Sequence, residues 1–362
     1  MFNKFTKIIT LKKYFLLFLI NLFAIKSFSE KIYKREEKFS FPTNFLDTLN
    51  IIANNCKINV SNSMKHEINI EIIYEVFTKK EKKSDQFLSA IKCYVTKNNG
   101  KIYITQTVDN YKLDFSFKSG KSYYNVTYNI SMPIYLIINA QIKHGEITID
   151  KLNNWSYFKL NNSTINIKEM ECENIQKPSV FNIEYTKLKI LRLDNCIIIA
   201  DNSSLDIYEA KILEINSTYT DITINNCQKL NLRSYGDNVN VSNLLELSLN
   251  SKYSKLGFYN FKGNGTLNLK FSSCILQNID IINTYIDLDN SKLQILLNEK
   301  SCFKIQSIAR FSELDFTKKA NINNYISPNK IQTDGFIGCN NKTDNKLIIN
   351  SDFSQIRIHF MK

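Results

Sequence analysis

The chain has 362 residues, a formal charge of +13, 43% hydrophobic and 12% aromatic residues, nine glycines and four prolines. That composition excludes a disordered tail, a collagen-like repeat and a proline-rich spacer, and the length suffices for a sizeable core in one elongated domain or two compact ones. Three isolated histidines, His66, His144 and His359, give no support to a His-rich metal site.

Residues 1–29 read as a signal peptide. Lys4, Lys7, Lys12 and Lys13 form a basic start without an acid. Tyr14 to Ile25 is a short apolar run broken only by Asn21, and Ser27 and Ser29 stand before a cut at Glu30. A spanning helix needs about 20 apolar residues, so the run describes export rather than an anchor. No later stretch is long and apolar enough to cross a bilayer as a helix. Removing the segment takes five lysines and leaves a charge of +8. Lysine runs such as Lys79–Lys80 and Lys82–Lys83 are mixed with glutamate and describe a solvated face. The sign still favours an anionic polysaccharide or lipid headgroup over a cationic partner. Nucleic acid is not expected without a basic groove signature.

Residues 30–132 form a first, β-rich region. Leu49–Ile51 and Ile58–Val60 are strand fragments nine residues apart, followed by Ile68–Ile72 and a charged loop over Thr78–Asp85. Asn99–Gly100 between alternating segments predicts a tight hairpin. A second antiparallel pair is expected between Leu113–Phe117 and Tyr123–Ile130. The chain holds 47 asparagines, clustered between strands at Asn54–Asn55, Asn98–Asn99, Asn153–Asn154, Asn161–Asn162 and Asn225–Asn226. Asparagine tolerates left-handed backbone angles, so it can turn the chain where glycine is scarce. AT-rich coding also enriches asparagine; its placement at turns is the informative part.

Residues 133–362 read as a parallel β-solenoid. Ile147 and Ile149, Phe158 and Leu160, and Ile165 and Ile167 open the array, with Gly145 at a tight corner. A step of 17 then aligns Leu188, Leu205, Ile222, Val239 and Leu256 in one column, and Ile190, Ile207, Ile224, Val241 and Phe258 in the next. Cys196, Leu213, Leu230 and Leu247 form a third, and Ile198, Ile215, Leu232 and Leu249 a fourth. Intervening positions are mostly polar. One such segment cannot bury its own face; stacking coil on coil makes a shared core. Each coil advances by the strand spacing of about 4.8 Å, so roughly ten coils make a stack about 50 Å long. The period slips at Lys262–Gly265, where Leu267 and Leu269 predict a three-residue insertion. Leu347–Ile349 and Ile356–Ile358 restore the nine-residue offset near the C-terminus, in parallel or antiparallel order. The end regions are expected to cap the open strand edges.

A further column places Tyr185, Tyr219 and Tyr253 three residues before an inward position, with Asn202 and Gly236 between them and Tyr235 one position early. A tyrosine at a coil corner can cover the core edge while its hydroxyl reaches water. Packing is the first reading of these residues and of Trp155, the single tryptophan; an exposed aromatic row that holds a glycan or a partner is the second.

Eight cysteines follow the expected cut, at 56, 93, 172, 196, 227, 274, 302 and 339. None forms CxxC, so no metal or cofactor is expected. Export permits disulfides, and their pairing stays open.

The segment Phe45–Val60 is close to the pattern FxxxxLNIxNxxGxIxV, with Phe45 one residue nearer Leu49 than the pattern has it, Ala53 at the second asparagine and Cys56 at a usual glycine. Pro133–Ile149 follows a second block that keeps Gly145, Ile147 and Ile149, and a repeated S-x-Y-S/G-x-L-x-I unit is matched best by Ser217–Ile224, with Thr220 at its fourth position, and Ser251–Phe258. In these motifs the chain resembles the head "GIN" domain of proposed auto-transporter adhesins and its relatives, in the exported form found in Bacteroidota. The resemblance covers most of residues 40–360. It implies a β-solenoid at the cell envelope and carries over no catalytic or ligand residues.

A polysaccharide lyase or hydrolase on such a body would need paired carboxylates or a metal with a base. The acids Asp194, Asp201, Glu209, Asp221 and Asp237 do not repeat in adjacent positions, and the corner of Asp221 and Asp237 reads as solvated. His144 reads as a turn histidine, and no GxSxG elbow, Walker loop or dinucleotide fingerprint is present. The expectation is therefore an exported, non-enzymatic structural or adhesive protein of the periplasm, outer surface or medium. Its partner would be an envelope protein or a glycan. A polysaccharide-active enzyme and an envelope sensor or assembly partner are the alternatives.

Overall fold

The computed structural model describes residues 31–78, 84–109, 123–171, 177–317, 320–339 and 343–361. The expected signal peptide, the Leu113–Phe117 strand and Cys172 lie outside these residues. The protein is all-β. Its described strands, β1 to β23, join one 23-stranded sheet, accompanied by a short helix α1 (Ser84–Ala90) that starts at the end of the expected charged loop, whose residues 79–83 lie outside the described residues.

The regular body is β11 (Lys187–Asp201), β12 (Ser204–Thr218), β13 (Asp221–Tyr235), β14 (Asn238–Lys252) and β15 (Lys255–Lys270). Each pairs in parallel with the next at a step of 17, so Leu188, Leu205, Ile222, Val239 and Leu256 stack, as do the other three sequence columns. Two more inward columns complete the core. One runs Leu193, Ala210, Cys227, Leu244, Phe261; the other runs Ala200, Ser217, Ser234, Ser251. Polar alternation puts the intervening residues outside, and backbone hydrogen bonds run from coil to coil. Each strand bends near its middle, so one coil is a half-strand, a corner and a second half-strand.

The register slip is one residue rather than three. Leu247 pairs with Gly265 and Leu249 with Leu267, with the bulge between Leu244 and Glu246. The apolar match misleads here because Gly265 occupies an inward position, where a Cβ would lie only 3.0 Å from the Phe261 ring. The larger Phe261 fills the space. Gly263, at φ 137°, is needed because a Cβ there would meet the Leu245 carbonyl oxygen.

At the N-terminal end, β2 (Thr48–Asn62) runs parallel to β7 (Ile137–Leu152), pairing Leu49 with Ile138 and Val60 with Ile149. A coil thus lies inside the first region, and residues 63–136 interrupt the stack between two neighbouring coils. Within that interruption β3 (Glu67–Thr78) pairs antiparallel with β6 (Tyr123–Met132), and β1 (Lys31–Pro42) lies on the far side of β3. The hairpin of β4 (Ile91–Asn98) and β5 (Lys101–Val108) turns at Asn99 and Gly100, both at positive φ, and lays β5 parallel to β2. The next coils are β8 (Tyr157–Asn161) with β9 (Thr164–Met170), then β10 (Ser179–Glu184) leading into β11.

The C-terminal end is interleaved. Beyond β16 (Ser273–Asp289) come β17 (Lys292–Leu297), β18 (Phe303–Arg310), β19 (Glu313–Phe316), the hairpin β20 (Ala320–Ser327) and β21 (Lys330–Ile337), and finally β22 (Lys346–Asp352) and β23 (Gln355–Phe360). The last two strands are not a cap. β22 lies between β16 and β18, and β23 lies between β17 and β19, all parallel. The antiparallel hairpin covers the outer edge of β18, and a Cys302–Cys339 disulfide joins the start of β18 to the end of β21.

Cys227 and Cys274 face the core as free thiols; burial pushes the first up to about 12 and raises the second. Since the thiolate is the nucleophile, iodoacetamide at pH 8 should leave both unmodified in the folded chain and alkylate both after denaturation. Mass mapping that finds either one labelled under native conditions would place these columns on the wrong face.

Candidate functional site

The site begins with a corner that repeats along the stack. At the turn from one strand to the next, each regular coil places one residue in the left-handed region, followed by a small polar residue. The corner N–H donates to the adjacent coil, as Tyr219 does to the Tyr235 carbonyl at 2.9 Å and Tyr253 to the Lys270 carbonyl at 3.1 Å. Asn162, Asn202, Gly236 and Asn290 fill this position as the backbone prefers. Six other corners carry aromatics: Tyr185, Tyr219, Tyr253, Phe271, Phe311 and Phe353, all at φ between 49° and 58°. Their exposure runs from 44% for Phe271 to 60% for Phe353.

The corner residue is followed by a buried hydroxyl ladder. Thr186, Ser203, Thr220, Ser254, Ser272 and Ser291 each donate to the carbonyl two residues back and accept an N–H from the neighbouring coil. Asp237 stands in this column. It is 3% exposed and accepts from the Thr220 N–H at 2.8 Å and the Ser217 hydroxyl at 2.6 Å. The expected solvated corner is therefore wrong for Asp237, because its carboxylate is taken up as a backbone acceptor.

Among the sequence-selected aromatics, Tyr219, Tyr235 and Tyr253 come together. Tyr235 precedes the Gly236 corner and bridges its neighbours edge-on, with ring centroids 5.8 Å from Tyr219 and 5.5 Å from Tyr253. Phe271 stacks on Tyr253 at 5.2 Å and extends the ridge. Phe311 and Phe353 form a second stacked pair at 5.0 Å. Tyr185 occupies an equivalent corner two coils before Tyr219. Trp155 lies apart, half-buried in the link between β7 and β8, with the Lys177 ammonium 5.7 Å from its ring. Phe271 and Phe311 were missed. An aromatic followed by Ser or Thr marks all six corners and could have found them.

Beside the ridge runs an open trough of about 590 Å³ on the outer face of β10 to β14. One wall carries Asn182, Ile199, Asn216, Arg233 and Asn250; the other carries Glu184, Asp201, Thr218, Tyr235 and Lys252. The charge is divided, with acids at the N-terminal end and cations further along. Lys252 Nζ lies 4.9 Å from the Tyr253 ring and 5.9 Å from that of Tyr235. Lys270 extends the basic end but pairs with Asp289 at 2.8 Å, which raises the ammonium and lowers the carboxyl.

The remaining candidate acids have separate partners. Asp194 pairs with Lys211 at 2.8 Å, Glu209 with Arg192 at 3.7 Å, and Asp221 accepts from the Asn238 amide at 3.3 Å. Among the described residues no three His, Cys, Asp or Glu side chains converge as a metal site would require. His144 is a corner residue at φ 52° and borders a larger concavity of about 1480 Å³ where the N-terminal strands meet the stack.

No family model and no curated protein matches this chain. Among solved structures it is similar to a proposed cell adhesion protein from Clostridium sporogenes, at 11% identity and a TM-score of 0.20, covering 91% of this chain and 100% of that one. It is also similar to a proposed adhesin from Bacteroides fragilis, at 12% identity and a TM-score of 0.28, covering 92% and 98%. A proposed adhesin from Parabacteroides merdae gives 9% identity and a TM-score of 0.19, covering 91% and 97%.

Proposed function

We propose that this is an exported, non-enzymatic adhesive protein of the cell envelope, binding its partner along the aromatic corner ridge rather than in a pocket. The resemblance to GIN-type adhesins in the Phe45–Val60 and Pro133–Ile149 segments supports the setting. One observation carries the reading. Six corners hold exposed aromatic rings in a left-handed conformation that neighbouring corners give to asparagine or glycine. A bulky residue there costs on the order of 1–2 kcal/mol, and a half-exposed ring recovers about 0.5–1.5 kcal/mol by stacking. Folding alone has little use for such residues, and strain kept at exposed positions points to function.

The test follows directly. A Tyr219→Asn, Tyr253→Asn, Phe271→Asn triple variant is expected to melt within a few degrees of the parent, since asparagine suits the backbone. It should lose capture of its partner from envelope extracts and lose adhesion to whole cells. Unchanged capture and adhesion would leave the ridge a packing feature.

A second reading has one specific support. Glu184 and Asp201 are register partners in adjacent strands on the trough wall, with cations further along. A polysaccharide-cleaving enzyme would place its acids so. Their side chains also accept from the Asn161 and Asn202 amides at 2.7 and 3.0 Å. Glu184→Gln should not alter the chain length of any polysaccharide incubated with the protein. Shortening by the parent that this variant abolishes would establish the enzyme instead.

A further inference from the structure

We infer that the trough beside the ridge binds a linear polysaccharide bearing carboxylates, with Arg233 and Lys252 as its anion contacts. The inference rests on the adhesive reading and names its ligand. Arg233 and Lys252 stand on opposite walls, in neighbouring strands, and neither is within ion-pair distance of a carboxylate among the described residues. The ion pairs elsewhere on the coils, such as Lys189–Asp206 at 3.5 Å and Lys229–Glu246 at 3.3 Å, join neighbouring coils directly. Two unpaired cations facing one trough are complementary to an anionic chain. The arginine fork suits a carboxylate in particular.

The amides make the same point. Elsewhere on the surface Asn226, Asn243, Asn260 and Asn278 form a ladder, each bonded to the next. In the trough, the side-chain amides of Asn182, Asn216 and Asn250 make no hydrogen bond to a described residue, while their backbones pair in the ladder. Asn216 and Asn250 flank Arg233 in consecutive coils. The wall thus offers amide, guanidinium, amide at the strand spacing of about 4.8 Å. That interval is comparable to one sugar unit of an extended glycan, whose hydroxyls and carboxylate need such donors. An extended peptide is less suited. The trough lies on a sheet face whose backbone groups are already paired, so strand addition has no edge to use. Glu184 and Asp201 repel a polyanion and set the limit of its path.

The experiment measures binding of the purified full chain to polygalacturonate and to its methyl ester, which keeps the backbone and removes the charge. Binding to the acid form is expected to weaken with salt, and the ester should bind at least tenfold less. The Arg233→Gln, Lys252→Gln double variant should lose roughly tenfold or more, as expected for charged hydrogen bonds. Lys189→Gln, outside the trough, should not change it. Equal binding of acid and ester, or an undiminished double variant, would overturn the inference. So would binding only to phosphatidylglycerol vesicles. Absence of polygalacturonate binding, with ridge-dependent capture intact, would overturn this ligand and leave the adhesive role standing. Loss of both would remove the role as well.

Discussion

Ile349→Asp is expected to abolish cooperative folding, and Ile348→Asp to be tolerated within about 1 kcal/mol as a surface change. Ile349 is fully buried in β22, where it pairs with Ile286 on one side and Ser307 on the other. An unpaired carboxylate there has no partner in the core and must be protonated or expose the strand. The expected loss exceeds about 4 kcal/mol. The damage should spread beyond the last residues of the chain. β22 and β23 hold β18 and β19 onto the stack, so the hairpin β20–β21 and its disulfide lose their base as well. Limited proteolysis should release fragments cut after residue 298 in Ile349→Asp and not in Ile348→Asp. Ile349→Val, which only removes a methylene, should cost about 0.5–1.5 kcal/mol. Equal tolerance of aspartate at 348 and 349 would mean that the C-terminal strands are not part of the core, and reversed tolerance would put the register one residue out.

The regular coils could be read from sequence because two periods agree there. Alternation sets which side chains face inward, and a constant coil length of 17 sets which of them stack, so Leu205, Ile222 and Val239 declare both at once. The reading fails where either condition fails. At β15 the bulge puts Gly265 in an apolar column, and matching leucine to leucine overcounts the insertion. At the C-terminus the order of stacking is not the order of the chain. Lys346 pairs with Asn283 and with Lys304, and no periodicity reports a strand that wedges between two earlier ones.

Polar columns escaped for a different reason. Asn226, Asn243 and Asn260 recur at the same step of 17 as the core, but a polar position in an alternating strand reads as solvent-facing whether or not its side chain bonds along the stack. The same bias hid the hydroxyl ladder. Of the ridge, Tyr185, Tyr219, Tyr235 and Tyr253 were visible as a tyrosine column. Phe271 and Phe311 were not, since the bulge and the interleaved strands remove them from the spacing.

Asp237→Ala should destabilise the chain by about 1–3 kcal/mol, because it strands one buried donor and takes the better acceptor from another. These are the Thr220 N–H and the Ser217 hydroxyl, both directed at the carboxylate, and the hydroxyl keeps only the Arg233 carbonyl at 3.5 Å. Asp237→Ser should stay within about 1 kcal/mol of the parent. A serine hydroxyl can accept the Thr220 N–H and donate to the carbonyl two residues back, as Thr220 and Ser254 do in the coils on either side. It also removes a charge from a nearly closed site, which offsets the weaker acceptor. Urea denaturation of the two variants separates the roles. If alanine were neutral, the ladder would contribute nothing and the corners would depend on stacking alone. If serine were as harmful as alanine, the carboxylate itself would be required at this coil. The ridge residues Tyr219 and Tyr253 sit immediately before Thr220 and Ser254, so the ladder is what holds their backbone in a conformation their side chains do not favour.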